Sequence, residues 1–173
     1  IPFFILTGLK AQHCTDCRYL TALFDSVEVE TAVYFGEGPN SDGQIQELYM
    51  DVYQPFGDTI GERPLVIFAF GGGFVTGYRD DWYVVEVCKR FAQSGYVSAA
   101  VDYRYGINPL EILFLQYMRI FFRPMQDMRA SVQFFKADYS LFGNNYRIDT
   151  SNIIIGAASS GAISKASEGP DTA

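Results

Sequence analysis

Leu65 to Gly77 reads LVIFAFGGGFVTG. Its first six residues, Leu65 to Phe70, form a continuous apolar run. That is the pattern of a strand buried on both faces, as in a parallel sheet with helices on either side. The run ends in Gly71-Gly72-Gly73, so the chain leaves the strand through backbone that no side chain restricts.

Working outward, Tyr96 to Val101 and Ile153 to Ile155 repeat the buried-strand pattern. Between the first two strands, Asp81 to Ser94 predicts a helix, with Trp82, Val85, Cys88 or Lys89, and Ala92 along one stripe and Gly95 as its stop. Pro109 to Phe122 is apolar and aromatic and predicts a helical insertion. Pro124 then opens a further helix, with Met125, Met128, Val132 and Phe135 on one face. Gly143 to Asn152 is polar and predicts a loop. Upstream, Val27 to Phe35 and Glu47 to Tyr53 alternate in strand fashion around the turn cluster Gly36 to Gly43, and predict an antiparallel pair. Pro55 to Pro64 is a loop.

This order predicts an α/β fold: a mostly parallel sheet with antiparallel N-terminal strands. Ligands of such sheets bind beyond the carboxyl ends of the strands. Both small-residue loops fall there, one after Phe70 and one after Ile155.

The second loop, Gly156-Ala157-Ala158-Ser159-Ser160-Gly161-Ala162, has the small–x–Ser–x–small pattern of a nucleophile elbow. The sharp turn holds its serine in a strained conformation, so the neighbours must be small. Ser159 is flanked by Ala157 and Gly161, and Ser160 by Ala158 and Ala162. Ser159 is the better register, because Gly161 then stands where helix and strand pack closely. A helix N-cap would explain the same serine without chemistry. The glycine loop favours chemistry, since acyl transfer builds charge on a carbonyl oxygen and needs bare backbone amides to meet it. Gly71, Gly73 and Gly77 also form a loose dinucleotide fingerprint, but no acidic residue stands at the expected distance to hold a ribose.

Four stretches resemble carboxylesterases and hormone-sensitive-lipase-like α/β-hydrolases, most closely their secreted bacterial members. LVIFAFGGGFVTG (Leu65 to Gly77) resembles their oxyanion segment, and VDYRYG (Val101 to Gly106) their Asp-Tyr-Arg strand end. PMQDMRASVQFF (Pro124 to Phe135) resembles the helix before the nucleophile strand, and Asn152 to Ala162 the elbow. The order and spacing match over Glu47 to Ala162. The resemblance implies an α/β-hydrolase fold that stops after the elbow, with Ser159 as nucleophile. By the same resemblance, the amides of Gly72, Gly73 and Ser160 would form the oxyanion hole. Phe70 stands where the family often has a histidine. The family's acid and histidine follow the nucleophile. Here the one histidine is His13, and Asp171 sits in a terminal Gly-Pro-Asp segment, so both partners are expected to be absent and the fragment inactive. A small-molecule ester is the implied substrate, with no cofactor. A non-catalytic hydrolase-like binding domain is the rival reading, and a nicotinamide-dinucleotide domain a weaker one. Phe114, Tyr117, Phe121 and Phe122 fit an acyl pocket or cap, but helical aromatic stripes are more often core.

Composition narrows the partners. The net charge is −7, with 13 Lys and Arg against 20 Asp and Glu, and there is no basic cluster for nucleic-acid phosphates. Ile1 to Leu9 is too short to span a bilayer. With the polar residues after it, it reads as a signal-peptide remnant over residues 1–12, or else as a first strand, ahead of one partial hydrolase domain over 13–173. The first reading implies a secreted or periplasmic protein, where disulfides are allowed. Cys14 and Cys17 would then pair with each other or with cysteines elsewhere, and Cys88 reads as a small core hydrophobe. A zinc site would need a second ligand pair, so no metal is expected.

Overall fold

The structure is a computed structural model that describes residues 17–106 and 113–159, with the side chains of 113–117 outside that description. The segment read as a signal remnant therefore lies outside the described residues, as do His13, Cys14, Ser160 and Asp171.

The elements are β1 (Val27–Pro39), β2 (Ile45–Pro55), β3 (Arg63–Ala69), α1 (Trp82–Gln93), β4 (Val97–Val101), α2 (Leu113–Leu141) and β5 (Ile148–Ala157). They form one mixed five-stranded sheet in the order β1-β2-β4-β3-β5. β3 pairs in parallel with β4 and with β5. β1 and β2 pair antiparallel, and β2 joins β4 antiparallel. The parallel character predicted from sequence is thus confined to the three strands that carry the loops of interest.

Each element has a local cause. The β1–β2 turn closes on Asn40, whose side-chain oxygen accepts from the amides of Asp42 and Gln44 at 2.9 and 3.0 Å. That is an Asx turn. β1 bulges between Glu30 and Val33, where the Ala32 amide donates to buried Asp51 at 2.8 Å. All five residues of β4 are buried. In α1 the buried stripe is Val84, Cys88 and Ala92, whereas Trp82 is 81% exposed. The helix is therefore rotated from the stripe expected through Trp82 and Val85. Gly95 ends it at φ 100, with its amide on Ala92 O at 2.9 Å.

Two other expectations change. α2 runs on through Pro124 instead of starting there. Its inner stripe is Pro124, Asp127, Met128, Ser131, Phe135 and Asp138. An apolar reading missed the polar members, each of which has a hydrogen-bond partner. Asp127 pairs with Arg104, Ser131 Oγ donates to Met128 O at 2.7 Å, and Asp138 accepts the Asn145 side chain and the Tyr146 amide. β5 begins at Ile148, inside the stretch expected to be loop, because Ile148 already pairs with Arg63 across a register shift.

The core collects β2, β3, β4 and the inner faces of both helices, including Met50, Val52, Leu65, Ile67, Ala99, Met128 and Phe135. Cys88 lies in it, and burial pushes its thiol up to about 12, so it packs as a neutral side chain.

At the far end of the sheet Arg18 forms an ion pair with Asp58. Burial pushes the Asp58 carboxyl up, but the hydrogen bonds from Arg18 and the Ile60 amide outweigh it and hold it below its ordinary value. An acid depressed on folding stabilises the fold above its unfolded value, near 4 by the usual rule of about 3.9 for Asp. That stability is lost as pH falls through the lower folded value. Urea unfolding of wild type and Asp58→Asn should therefore show a clear advantage for wild type at neutral pH that closes in acid. An advantage independent of pH would contradict this role.

Candidate active site

The sheet delivers both loops to one end. β3 and β5 run in parallel register from Leu65↔Ile153 to Ala69↔Ala157, and the ladder extends one step further through Ala158 N on Ala69 O at 3.2 Å. The next residue on the β5 side is Ser159, and two positions past Ala69 on the β3 side is Gly71.

Ser159 is exposed and has φ 49. A positive φ is uncommon for a residue with a Cβ and marks a sharp, strained turn. Gly71 lies directly against it. A Cβ built on Gly71 would stand 3.1 Å from Ser159 Cβ and 3.1 Å from Ala158 O. Position 71 is small because the serine turn occupies the space a side chain would need.

The glycine loop is wound tightly. Gly72 has φ 142, and a Cβ there would fall 1.7 Å from Thr76 O. Its carbonyl accepts from Val75 and Thr76 at 3.1 and 3.2 Å. Gly73 and Phe74 follow at φ 64 and 62. The Gly71 amide donates to Tyr83 Oη at 2.8 Å. Among the described residues, the Gly72 and Gly73 amides donate no hydrogen bond. Among the described residues, nothing lies within 4 Å of the position a Cβ would take on Gly73. These are two of the three amides that the resemblance implies for the oxyanion hole. The third, that of Ser160, lies outside the described residues.

An aromatic cluster supports the loop. Phe70 is buried and stacks on Tyr103, with centroids 4.3 Å apart, and meets Tyr105 edge-on. Phe74 meets Tyr103 and Phe121 edge-on. Phe70 is thus held in place by packing. Phe121 and Phe122 are 37% and 48% exposed, so the core reading fails for them, and Phe121 lies beside the glycine loop instead. The side chains of Phe114 and Tyr117 are outside the described residues.

Charge pins the same region. Arg79, just past the loop, bridges Asp51 on β2 at 3.1 Å and Asp102 at the end of β4 at 2.6 Å. Burial raises the Asp102 carboxyl although Arg79 opposes it. Arg104 is held by Asp127 through Nη2 at 2.7 Å, Nε at 2.9 Å and its own amide at 2.7 Å. Sequence reading had recognised the Asp-Tyr-Arg stretch but not these partners, and it missed Tyr83 and Arg79 altogether. No sequence signal marks either, because the partner of Tyr83 is a backbone amide twelve residues earlier and the partners of Arg79 lie on β2 and just past β4.

The dinucleotide reading loses its geometry here. A Cβ on Gly77 would stand 2.3 Å from Gly71 O and 2.5 Å from the Phe70 ring, so that glycine serves packing inside the loop. α1 begins only at Trp82, whereas the fingerprint's glycines open a helix. Among the described residues no group of three His, Cys, Asp or Glu could hold a metal, and no helix is long and apolar enough to cross a membrane.

The parallel strands, crossover helices and serine-bearing strand end define an α/β-hydrolase sheet, and solved esterase structures share it. The bacterial heroin esterase is 26% identical over 82% of this chain and 38% of its own, with a TM-score of 0.54. Brefeldin A esterase, a bacterial homologue of human hormone-sensitive lipase, is 23% identical over 80% of this chain and 33% of its own, with a TM-score of 0.53. Esterase B from Lactobacillus rhamnosis is 20% identical over 80% and 38%, with a TM-score of 0.55. The chain thus spans well under half the length of these enzymes. Among curated proteins, no sequence matches it. The chain belongs to the BD-FAE family, whose pattern matches residues 50–166.

Proposed function

We propose that the whole protein is a serine carboxylic-ester hydrolase that works through an acyl-enzyme. The observation that carries this reading is the contact between Ser159, at positive φ, and a glycine loop whose next two amides have no partner among the described residues. Family membership and the 26% identity to an esterase support it.

In this reading Ser159 Oγ attacks the ester carbonyl. The C–O bond forms, the carbonyl π pair moves onto oxygen, and the Gly72 and Gly73 amides meet the resulting oxyanion, joined by that of Ser160. The serine proton passes to a histidine, which an acid orients. Collapse restores the carbonyl and breaks the bond to the alkoxy group, which takes the proton and leaves as alcohol. Water then repeats the sequence on the acyl-serine. His13 and Asp171 are not assigned to these roles. We assign the acid and histidine to the part of the relatives' length that this chain does not span.

The test is to express the complete gene product and assay a short-chain activated ester such as p-nitrophenyl acetate. Turnover is expected, with an acid and then a histidine in the part of the relatives' length that this chain does not span. Neither turnover nor a downstream histidine would replace this reading with that of a hydrolase-like binding domain.

A further inference from the structure

The peptide bond between Phe70 and Gly71 is held at both ends by tyrosine hydroxyls. Its carbonyl oxygen accepts from Tyr103 Oη at 3.0 Å. Its N–H donates to Tyr83 Oη at 2.8 Å. The tyrosines come from different elements: Tyr83 lies in the first turn of α1, and Tyr103 two residues past the end of β4.

A peptide unit is planar and trans, so its C=O and N–H point to opposite sides. One hydrogen bond would leave the plane free to swing about that contact. Two bonds on opposite edges fix its tilt. This matters because the residues that follow cannot fix themselves. Gly72 and Gly73 have no side chains, and glycine backbone samples more conformations than any other. Their amides inherit direction from the Phe70–Gly71 plane before them and from the Gly72 carbonyl turn after them. The clamp also takes the Gly71 amide out of use, which leaves the next two as the donors on offer.

We propose that Tyr83 and Tyr103 are positioning residues that set the aim of the Gly72 and Gly73 amides, with Phe70 as the packed platform between them. The proposal rests on the oxyanion reading of the glycine loop. It predicts an effect of the hydroxyls separate from that of the rings. The rings have their own packing: Tyr103 on Phe70 and Phe74, and Tyr83 against Trp82. A Tyr→Phe change keeps that packing and removes one edge of the clamp.

The experiment compares Tyr83→Phe, Tyr103→Phe, the double variant and Ser159→Ala in the complete protein, with p-nitrophenyl acetate as substrate and butylboronic acid as a tetrahedral-adduct probe. Each single change should lower kcat about tenfold with KM within about twofold, the effect of one misaimed hydrogen bond. Affinity for the boronic acid should fall in step with kcat. The double variant should lose little more than the worse single, because both hydroxyls hold one plane. If Tyr103→Phe fails to fold, Tyr83→Phe alone decides the matter by the same kcat and KM split. Unchanged kcat, a loss confined to KM, or a double variant equal to the product of the singles would overturn the clamp. Failure of the underlying reading shows differently, as turnover that survives in Ser159→Ala.

Discussion

Ser159→Ala should lower ester turnover by the complete protein about a millionfold, the cost of removing a triad serine in serine hydrolases. Ser160→Ala should keep a substantial part. The difference follows from geometry. Ser159 follows the last step of the ladder with β3, carries φ 49 and lies against Gly71. Its hydroxyl is the only part of the residue that alanine lacks, so the backbone turn survives the change. Ser160 enters the proposed reaction through its amide, which alanine retains. The assay is kcat/KM on p-nitrophenyl acetate for both variants, with unfolding curves to confirm that each is folded. A dead Ser160→Ala beside an active Ser159→Ala would put the elbow register off by one.

The largest effect on stability should come from Asp127→Ala. Arg104 and Asp127 expose only 7% and 3% of their side chains. Asp127 receives the Arg104 guanidinium and also the Arg104 amide. Removing the carboxylate strands a cation in the core, which costs about 3–5 kcal/mol. Replacing both partners with apolar residues, Arg104→Met with Asp127→Leu, should recover much of that loss, because no charge is then left buried. Urea unfolding of this chain measures both. A double variant as unstable as Asp127→Ala would show that the pair matters through hydrogen bonds to Pro39 O and Gln126, which Arg104 also makes.

Much of this was legible in the sequence because strands buried on both faces leave unbroken apolar runs. Leu65 to Phe70 and Tyr96 to Val101 are such runs, and the sheet follows from them. The crowded serine turn was legible too, since only small residues fit where Gly71 meets Ser159. Two kinds of information were not. Helix rotation was misjudged in α1 because Trp82 and Val85 look like core residues, yet Trp82 faces solvent. Polar residues at core positions were also missed. Asp127 and Asp138 interrupt the apolar stripe of α2, and their burial makes sense only once Arg104 and Tyr146 are placed, whereas Ser131 is satisfied within the helix by Met128 O. Tyr83 belongs to the same group, since its partner is a backbone amide twelve residues earlier.

The most direct test of the central claim is to treat the complete protein with an alkyl fluorophosphonate and map the adduct by peptide mass spectrometry. The account predicts one adduct, on Ser159, formed with loss of esterase activity and absent from Ser159→Ala. An active esterase that takes no label, or takes it on another residue, would contradict it.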